Sequence, residues 1–267
     1  GGDDDAPRAP VSWPDKLNAT DWAQFAEPRN VVPTLLLTGT TLLFAGVYRA
    51  YLRRVPDAGH VGPGMLRGRR RLLGVVTSVG DGDGFRLFHT PGGRLAGWGW
   101  GWGRKVPTGK ELGGKTIHVR IAGIDAPELA HFGRPEQPYA QDALRWLTSY
   151  ILGRRVRAHL HRRDQYDRVV ATVFVRRGPL GLRLLRRDVG LEMLKRGLAT
   201  VYEAKSGVEF GGREEKYKRA ERRAREKGRG MWKEQGLVAR LLGRREAVRE
   251  SPREYKTRMA ALDKEKE

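Results

Sequence analysis

Three short segments of the 267-residue chain gather carboxylates and arginines where turns meet strands. The first is Asp81-Gly82-Asp83, in which glycine lets the chain turn while two carboxylates project, a common device for hard cations. The second is Arg120-Ile-Ala-Gly-Ile-Asp125-Ala126-Pro127-Glu128. It sets two carboxylates three residues apart, and Pro127 biases Ala126 toward an extended conformation that presents its carbonyl. The third, Asp164-Gln165-Tyr166-Asp167-Arg168, is a polar turn with an arginine at the mouth of a strand. Each segment alone also has a plainer reading. An acid in a turn caps a backbone N–H, and an arginine on a strand face is solvated.

These segments depend on the elements around them. Leu72 to Val79 and Phe85 to Thr90 are apolar runs joined by a Gly/Asp turn, which predicts a hairpin. In Thr116 to Ile121 the residues Ile117, Val119 and Ile121 share one face, leaving Arg120 on the outer face. Arg155 to Leu160 and Val169 to Val175 are further strands. Ala140, Ala143, Leu144, Leu147 and Ile151 recur at helical spacing before Gly153. Asp188 caps a short helix ended by Gly197, and Gly212 to Gly228 is a charged helix with a seam of Tyr217, Ala220 and Ala224. Five short strands with intervening helices predict a small barrel carrying helices outside it.

VTSVGDGDGFRLF, HVRIAGIDAPEL, QPYAQDALRWL, DQYDRVVATVFV, GLATVY and GMW follow one another between Leu72 and Trp232. Their order and spacing resemble those of the staphylococcal nuclease family. With its N-terminal apolar segment and an insert, the chain is similar to a fungal, membrane-anchored branch whose members are described as probable mitochondrial endonucleases. The resemblance implies an α+β fold, a five-stranded oligonucleotide/oligosaccharide-binding (OB-fold) barrel with three helices, preceded by a single transmembrane helix. It also implies a Ca²⁺-dependent endonuclease acting on DNA and RNA with little sequence specificity, single strands favoured.

Carried over by motif, Asp83 and Asp125 would be carboxylate ligands of Ca²⁺, with the Ala126 carbonyl and waters completing an all-oxygen shell. Glu128 would activate or orient the attacking water, and Arg120 and Arg168 would bind the scissile phosphate. Asp81 would support the metal from behind its ligands. Tyr166 and Tyr202 would line the nucleotide pocket, with core packing the competing role for Tyr202. The chain departs from the family pattern at Gly84 and Ala126, where hydroxyl residues are usual, and at Asp167, where glycine is usual. These departures bear on efficiency and remove none of the five principal groups. A noncatalytic nucleic-acid- or protein-binding module on the same fold is the rival reading, and it would be expected to have lost several of those groups.

The chain carries 52 Lys and Arg against 31 Asp and Glu, a net charge of +21. Residues 1–60 hold 6 basic and 7 acidic residues, so the whole excess lies beyond them. Such a surface attracts phosphate polymers or anionic lipid, and a solvated basic face is the plainer alternative. A hydrophobic content of 39% permits a packed core. The absence of cysteine excludes disulfides, thiol nucleophiles, zinc fingers and iron–sulfur sites.

The expected organisation is a disordered arm at 1–30, a transmembrane helix at 31–52, a basic linker at 53–71, the nuclease-like domain at 72–235 and a charged tail at 236–267. From Val31 to Tyr48 there are eighteen uncharged residues. As a helix they reach about 27 Å, close to the ~30 Å hydrocarbon core. A buried helix or an uncleaved signal sequence fits the same stretch. Arg49, Arg53 and Arg54 flank it and assign the C-terminal part to the positive-inside face, with the mitochondrion as the organelle by resemblance. A Gly/Trp-rich insert at 93–114 offers Trp98, Trp100 and Trp102 for stacking on bases or for a membrane interface, a floppy loop being the alternative. His159 and His161 share a strand face without an evident third metal ligand. No protein partner is inferable.

Overall fold

The computed structural model describes residues 12–19, 23, 26–100, 103–130, 134–176, 186–203, 207–233 and 250–264. The chain separates into two compact units, residues 1–53 and 54–267. In the first, α1 (Trp13–Asn18) precedes α2 (Pro28–Val47), which continues through a π-helical turn at Tyr48–Leu52. Pro28 suits the start of α2, because its fixed φ is helical and the N–H it lacks would be unpaired there. Among the described residues, Pro28–Leu52 is the one helix long and apolar enough to cross a bilayer, with 25 residues, a mean hydropathy of 1.6 and no part of its apolar window buried.

The second unit is built on five strands, β1 (Arg71–Val79), β2 (Gly84–His89), β3 (Ile117–Ile121), β5 (Arg155–Arg163) and β6 (Val169–Arg176). β1 pairs antiparallel with β2 and β5, β2 with β3, and β5 with β6, while a parallel β3–β6 pairing closes the ring. Register shifts at Val76/Ser78 and Leu160/Arg162 add the local twist that a small closed barrel needs. The strand alternation explains the interior: Ile117, Val119 and Ile121 are buried, His118 and Arg120 only partly so. β4 (Ile124–Asp125) pairs with β8 (Thr200–Val201) beside the barrel, and β7 (Arg186–Asp188) extends the edge at β6.

Outside the barrel lie α3 (Pro63–Arg67), α4 (Ala140–Ile151), α5 (Val189–Arg196), α6 (Glu214–Glu226) and α7 (Pro252–Lys264). α4 buries Ala140, Ala143, Leu147, Tyr150 and Ile151, the stripe its spacing predicts. Asp188 caps α5 by accepting from Leu191 N at 3.1 Å, and Gly197 ends that helix at φ +66°. The Tyr217 hydroxyl of α6 donates to the same Asp188 carboxylate at 2.9 and 3.1 Å, so one buried acid ties two helices together.

Two stretches differ from expectation. The segment 53–71, expected to be a linker, is folded from Arg54 onward: Val55, Ala58 and Val61 enter the main core cluster, and Val55 N donates to His89 Nδ1 at 2.9 Å. Its flanking prolines and glycines mask three small apolar residues spaced three apart. In the insert, Trp98 is buried edge-on against Phe88, with ring centroids 5.7 Å apart, so it packs instead of offering a free indole. Trp100 stays half exposed with its indole N–H donating to Arg94 O at 2.9 Å, and Trp102 lies outside the described residues.

Candidate active site

The site lies where β2 begins, β3 ends and β4 runs alongside. The carbonyl of Asp83 accepts from Ile121 N at 2.8 Å, which ties the Asp81–Asp83 turn to the end of β3. Across the ladder Gly84 faces Arg120. Beyond Ile121 the chain turns through Gly123, at φ +73°, into β4, and this brings Asp125 back to the same place. A Cβ on Gly82 would sit 2.6 Å from the Ala126 Cβ, so the absent side chain is what lets the acidic turn rest on the Asp125–Ala126 strand end. The Arg120 guanidinium bridges the two acids, 3.2 Å from Asp83 Oδ2 and 3.1 Å from Asp125 Oδ1. At position 84 a Cβ would meet Asp81 Oδ1 at 2.5 Å, and that carboxylate instead accepts from Asp83 N at 3.2 Å. Glycine at 84 therefore reflects space that Asp81 has filled.

Arg168 stands one residue before β6, whose parallel register pairs Val169 with Val119 and Val170 with Arg120. Its Nε lies 2.7 Å from Asp164 Oδ2, and Asp164 also accepts the backbone N–H groups of Tyr166 and Arg168 at 2.9 Å each. These contacts hold the Asp164 carboxyl below its ordinary range despite the opposing effect of burial. Asp167 adopts φ +57° and pairs with Arg163 at 2.7 Å, which directs its charge away from Arg168. The Arg168 guanidinium lies 5.3 Å from the Tyr166 ring and that of Arg120 lies 5.0 Å from the Tyr202 ring. Tyr202 is thus a ledge beneath an arginine, with part of its surface open.

Glu128 is 42% exposed on its side chain, and Lys256 of α7 reaches it. The Lys256 Nζ lies 2.9 Å from Glu128 Oε1 and 2.8 and 3.0 Å from the two oxygens of Asp125. Burial pushes the Asp83 carboxyl up to about 7, with Asp81 and Asp125 adding to the rise and Arg120 opposing it. The Arg120 guanidinium is raised as well: burial alone would lower it, but Asp83 and Asp125 lift it above its ordinary value. The pocket is thus a dense group of acids held by two cations, Arg120 and Lys256, which meet at Asp125 Oδ1.

Asp83, Asp125, Arg120 and Glu128 accordingly share one neighbourhood through direct or Lys256-mediated contacts, while Arg168 precedes the strand paired with β3, two residues before Val170, the partner of Arg120. His159 packs on Phe174 with ring centroids 4.7 Å apart, while His161 contacts Thr172 Oγ1 at 2.7 Å. Among the described residues, no three Asp, Glu or His side chains form a ready metal-binding group. The sequence reading passes over Gln137, whose side chain holds the backbone of Glu128, and over Lys256. One local signal marks the helix that carries Lys256: Ser251-Pro252-Arg253-Glu254 is a capping box with proline at the first turn, and Ser251 N reaches Glu254 Oε2 at 2.7 Å.

A family model described as "Staphylococcal nuclease homologue" matches residues 118–234. The chain is 62% identical over 257 residues to the "Probable endonuclease LCL3" of Coccidioides posadasii, covering 95% of this chain and 78% of that protein. The protein of the same name from Uncinocarpus reesii is 61% identical, with 93% and 79% covered. That of Sclerotinia sclerotiorum is 58% identical, with 97% and 92% covered. With this identity sustained along most of each protein, and with a closed five-stranded barrel bearing the expected helices, the chain belongs to the staphylococcal nuclease-like family, in its fungal branch.

Proposed function

We propose that the chain is a membrane-anchored, Ca²⁺-dependent endonuclease that hydrolyses the phosphodiester bonds of DNA and RNA with little sequence preference. The observation that carries this reading is the bridging of Asp83 and Asp125 by Arg120 at 3.2 and 3.1 Å, at the barrel end that also holds Glu128 and Arg168. The donor set suits a hard cation. Asp83, Asp125 and the Ala126 carbonyl offer only oxygen, and the Lys256 ammonium already bound to Asp125 marks where positive charge is accommodated. When bound, Ca²⁺ would supply positive charge against the phosphate oxygens.

The remaining steps belong to the chain itself. Glu128 takes the proton of the water that attacks phosphorus, a role worth about 10²- to 10⁴-fold in rate. Arg120 and Arg168 meet the nonbridging oxygens on which charge develops. Asp164 engages Arg168 through Nε, which leaves the terminal nitrogens of that guanidinium for phosphate. Contacts of this kind position a strand without reading its bases, hence the low sequence preference. The helix Pro28–Leu52 supports anchoring, and Arg49 in its last turn with Arg53 and Arg54 after it supports a positive-inside placement of the catalytic unit. Likeness to the fungal branch supports a mitochondrial membrane.

The test is degradation of single-stranded DNA by the full chain in detergent, with Ca²⁺ and then with chelator. Expected are loss of cleavage on chelation and a fall of at least about 10²-fold in Glu128→Gln with DNA binding retained. Cleavage that ignores the chelator refutes the metal dependence. Salt-sensitive binding without cleavage under any condition favours a noncatalytic binding module.

A further inference from the structure

The acidic pocket already has an occupant, and it comes from the same chain. Lys256 makes three short contacts there, to both oxygens of Asp125 and to Glu128 Oε1, across 131 residues of sequence in the Asp125 case. The helix that delivers it is also docked by contacts that do not involve Lys256. Gln137 Nε2 donates to Glu250 O at 2.9 Å, Arg253 pairs with Glu203 at 2.9 Å, Arg134 pairs with Asp263, and the Tyr255 hydroxyl donates to Pro135 O. Tyr255 and Met259 are buried beneath it.

We infer that α7 is an internal ligand of the metal site, whose Lys256 ammonium must leave before a divalent cation can bind, an inference that rests on the Ca²⁺-nuclease reading. The reason is steric and electrostatic together. Ca²⁺ sits about 2.3–2.6 Å from carboxylate oxygens, so at Asp125 it would claim nearly the position that the ammonium holds at 2.8 and 3.0 Å. Two cations cannot share those oxygens at that separation. The same ammonium lies 2.9 Å from Glu128 Oε1, so it occupies the side of that carboxylate that a water would need to approach. One side chain thus blocks both the metal and the base.

The arrangement also suits release. Lys256 and Glu128 keep 40% and 42% of their side-chain surface exposed, so water and ions reach the pair. A polar cavity of about 230 Å³ lies between α7 and the barrel side, lined by Asp125, Glu203, Ser251 and Arg253 among others. Of the docking contacts, the Arg253–Glu203 and Arg134–Asp263 ion pairs are partly exposed and individually weak, which leaves Tyr255 and Met259 as the buried anchors of the helix. Displacement of Lys256 by Ca²⁺ therefore has to break the clamp and loosen those two anchors.

The experiment compares wild type with Lys256→Met, both as full chains in detergent, by calorimetric Ca²⁺ titration and by amide exchange over residues 252–264. Lys256→Met keeps the stem and removes the charge. It is expected to tighten Ca²⁺ binding about 10-fold or more, within the usual range for coupled occupants. In wild type, saturating Ca²⁺ is expected to raise exchange across α7. Tyr255→Ala, which undocks the helix and leaves every carboxylate in place, is expected to tighten Ca²⁺ binding as well and serves if Lys256→Met does not fold. Ca²⁺ binding with equal affinity in all three proteins, with α7 equally protected, overturns the inference and leaves the nuclease reading standing. No Ca²⁺ binding in any of them overturns both.

Discussion

Gln137 grips Glu128 through both backbone polar groups of that residue: its side-chain Oε1 accepts Glu128 N at 3.1 Å, and its own backbone N donates to Glu128 O at 2.9 Å. Only 3% of Gln137 is exposed, so the grip is built into the folded unit. It fixes where the loop after Pro127 places the Glu128 carboxylate, the group proposed above as the base. Gln137→Ala keeps the backbone bond and loses the side-chain bond. The expected result is a fall in kcat of about 10-fold with KM for a single-stranded oligonucleotide nearly unchanged, since misplacing a reacting group costs rate more than binding. Steady-state kinetics on one oligonucleotide separate the two. A matching rise in KM would assign Gln137 to substrate binding instead.

Arg168 is set up differently from Arg120. Its Nε is committed to Asp164 at 2.7 Å, whereas Arg120 spends one terminal nitrogen on two carboxylates. Lysine at 168 can satisfy Asp164 or a phosphate, but it lacks the fork that does both. Arg168→Lys is expected to lower single-turnover cleavage by about 10²-fold or more, with Ca²⁺ affinity unchanged because Arg168 touches neither Asp83 nor Asp125. A rate within a few-fold of wild type would remove Arg168 from the phosphate contacts.

How much of this was legible in the chain differs by residue. The strands were, because alternation such as Ile117/Val119/Ile121 survives in the linear order. The convergence of Asp83, Arg120 and Asp125 was approachable because each lies at the end of a recognisable strand. Between the pocket and the core as places for Tyr202, the sequence does not choose; the ring follows directly after β8 and lies 5.0 Å from the Arg120 guanidinium, a neighbour that nothing in the linear order announces. Lys256 was hidden for a stronger reason. Its partner Asp125 is 131 residues away, and one lysine in a tail rich in charge carries no local mark. The packing of Val55, Ala58 and Val61 was obscured by the Pro/Gly-rich setting that normally signals a linker.

Gly82 tests how tightly the acidic turn is set. Its missing side chain is required by the Ala126 Cβ, which would lie 2.6 Å from an added one. Neither atom is the free end of a flexible side chain, so Gly82→Ala must move the Asp81–Asp83 turn or the Asp125–Ala126 strand end. The expected outcome is Ca²⁺ binding weaker by about 10-fold, with a stability loss of about 1–3 kcal/mol from overpacking. Calorimetric titration and thermal unfolding read the two effects separately. Unchanged Ca²⁺ affinity would mean that the metal does not depend on the spacing of Asp83 and Asp125.

His89 makes stability depend on pH in a stated direction. Its Nδ1 accepts Val55 N at 2.9 Å, so the ring must be unprotonated at that nitrogen. Burial, helped by the nearby Arg70 and Arg54 charges, pulls its pKa from 6.5 to about 4. Between those values the unfolded chain binds the proton and the folded chain does not. Stability from this group is therefore full above about pH 6.5 and declines as pH falls toward about 4, by up to about 3 kcal/mol. His159, also held to about 4 and only half buried, adds a smaller part in the same window. His89→Asn keeps an acceptor for Val55 N and cannot titrate. Thermal midpoints of the full chain in detergent, compared at pH 7.5 and 5, should drop further for wild type than for His89→Asn. Equal drops would show that the buried imidazole contributes nothing to the acid sensitivity.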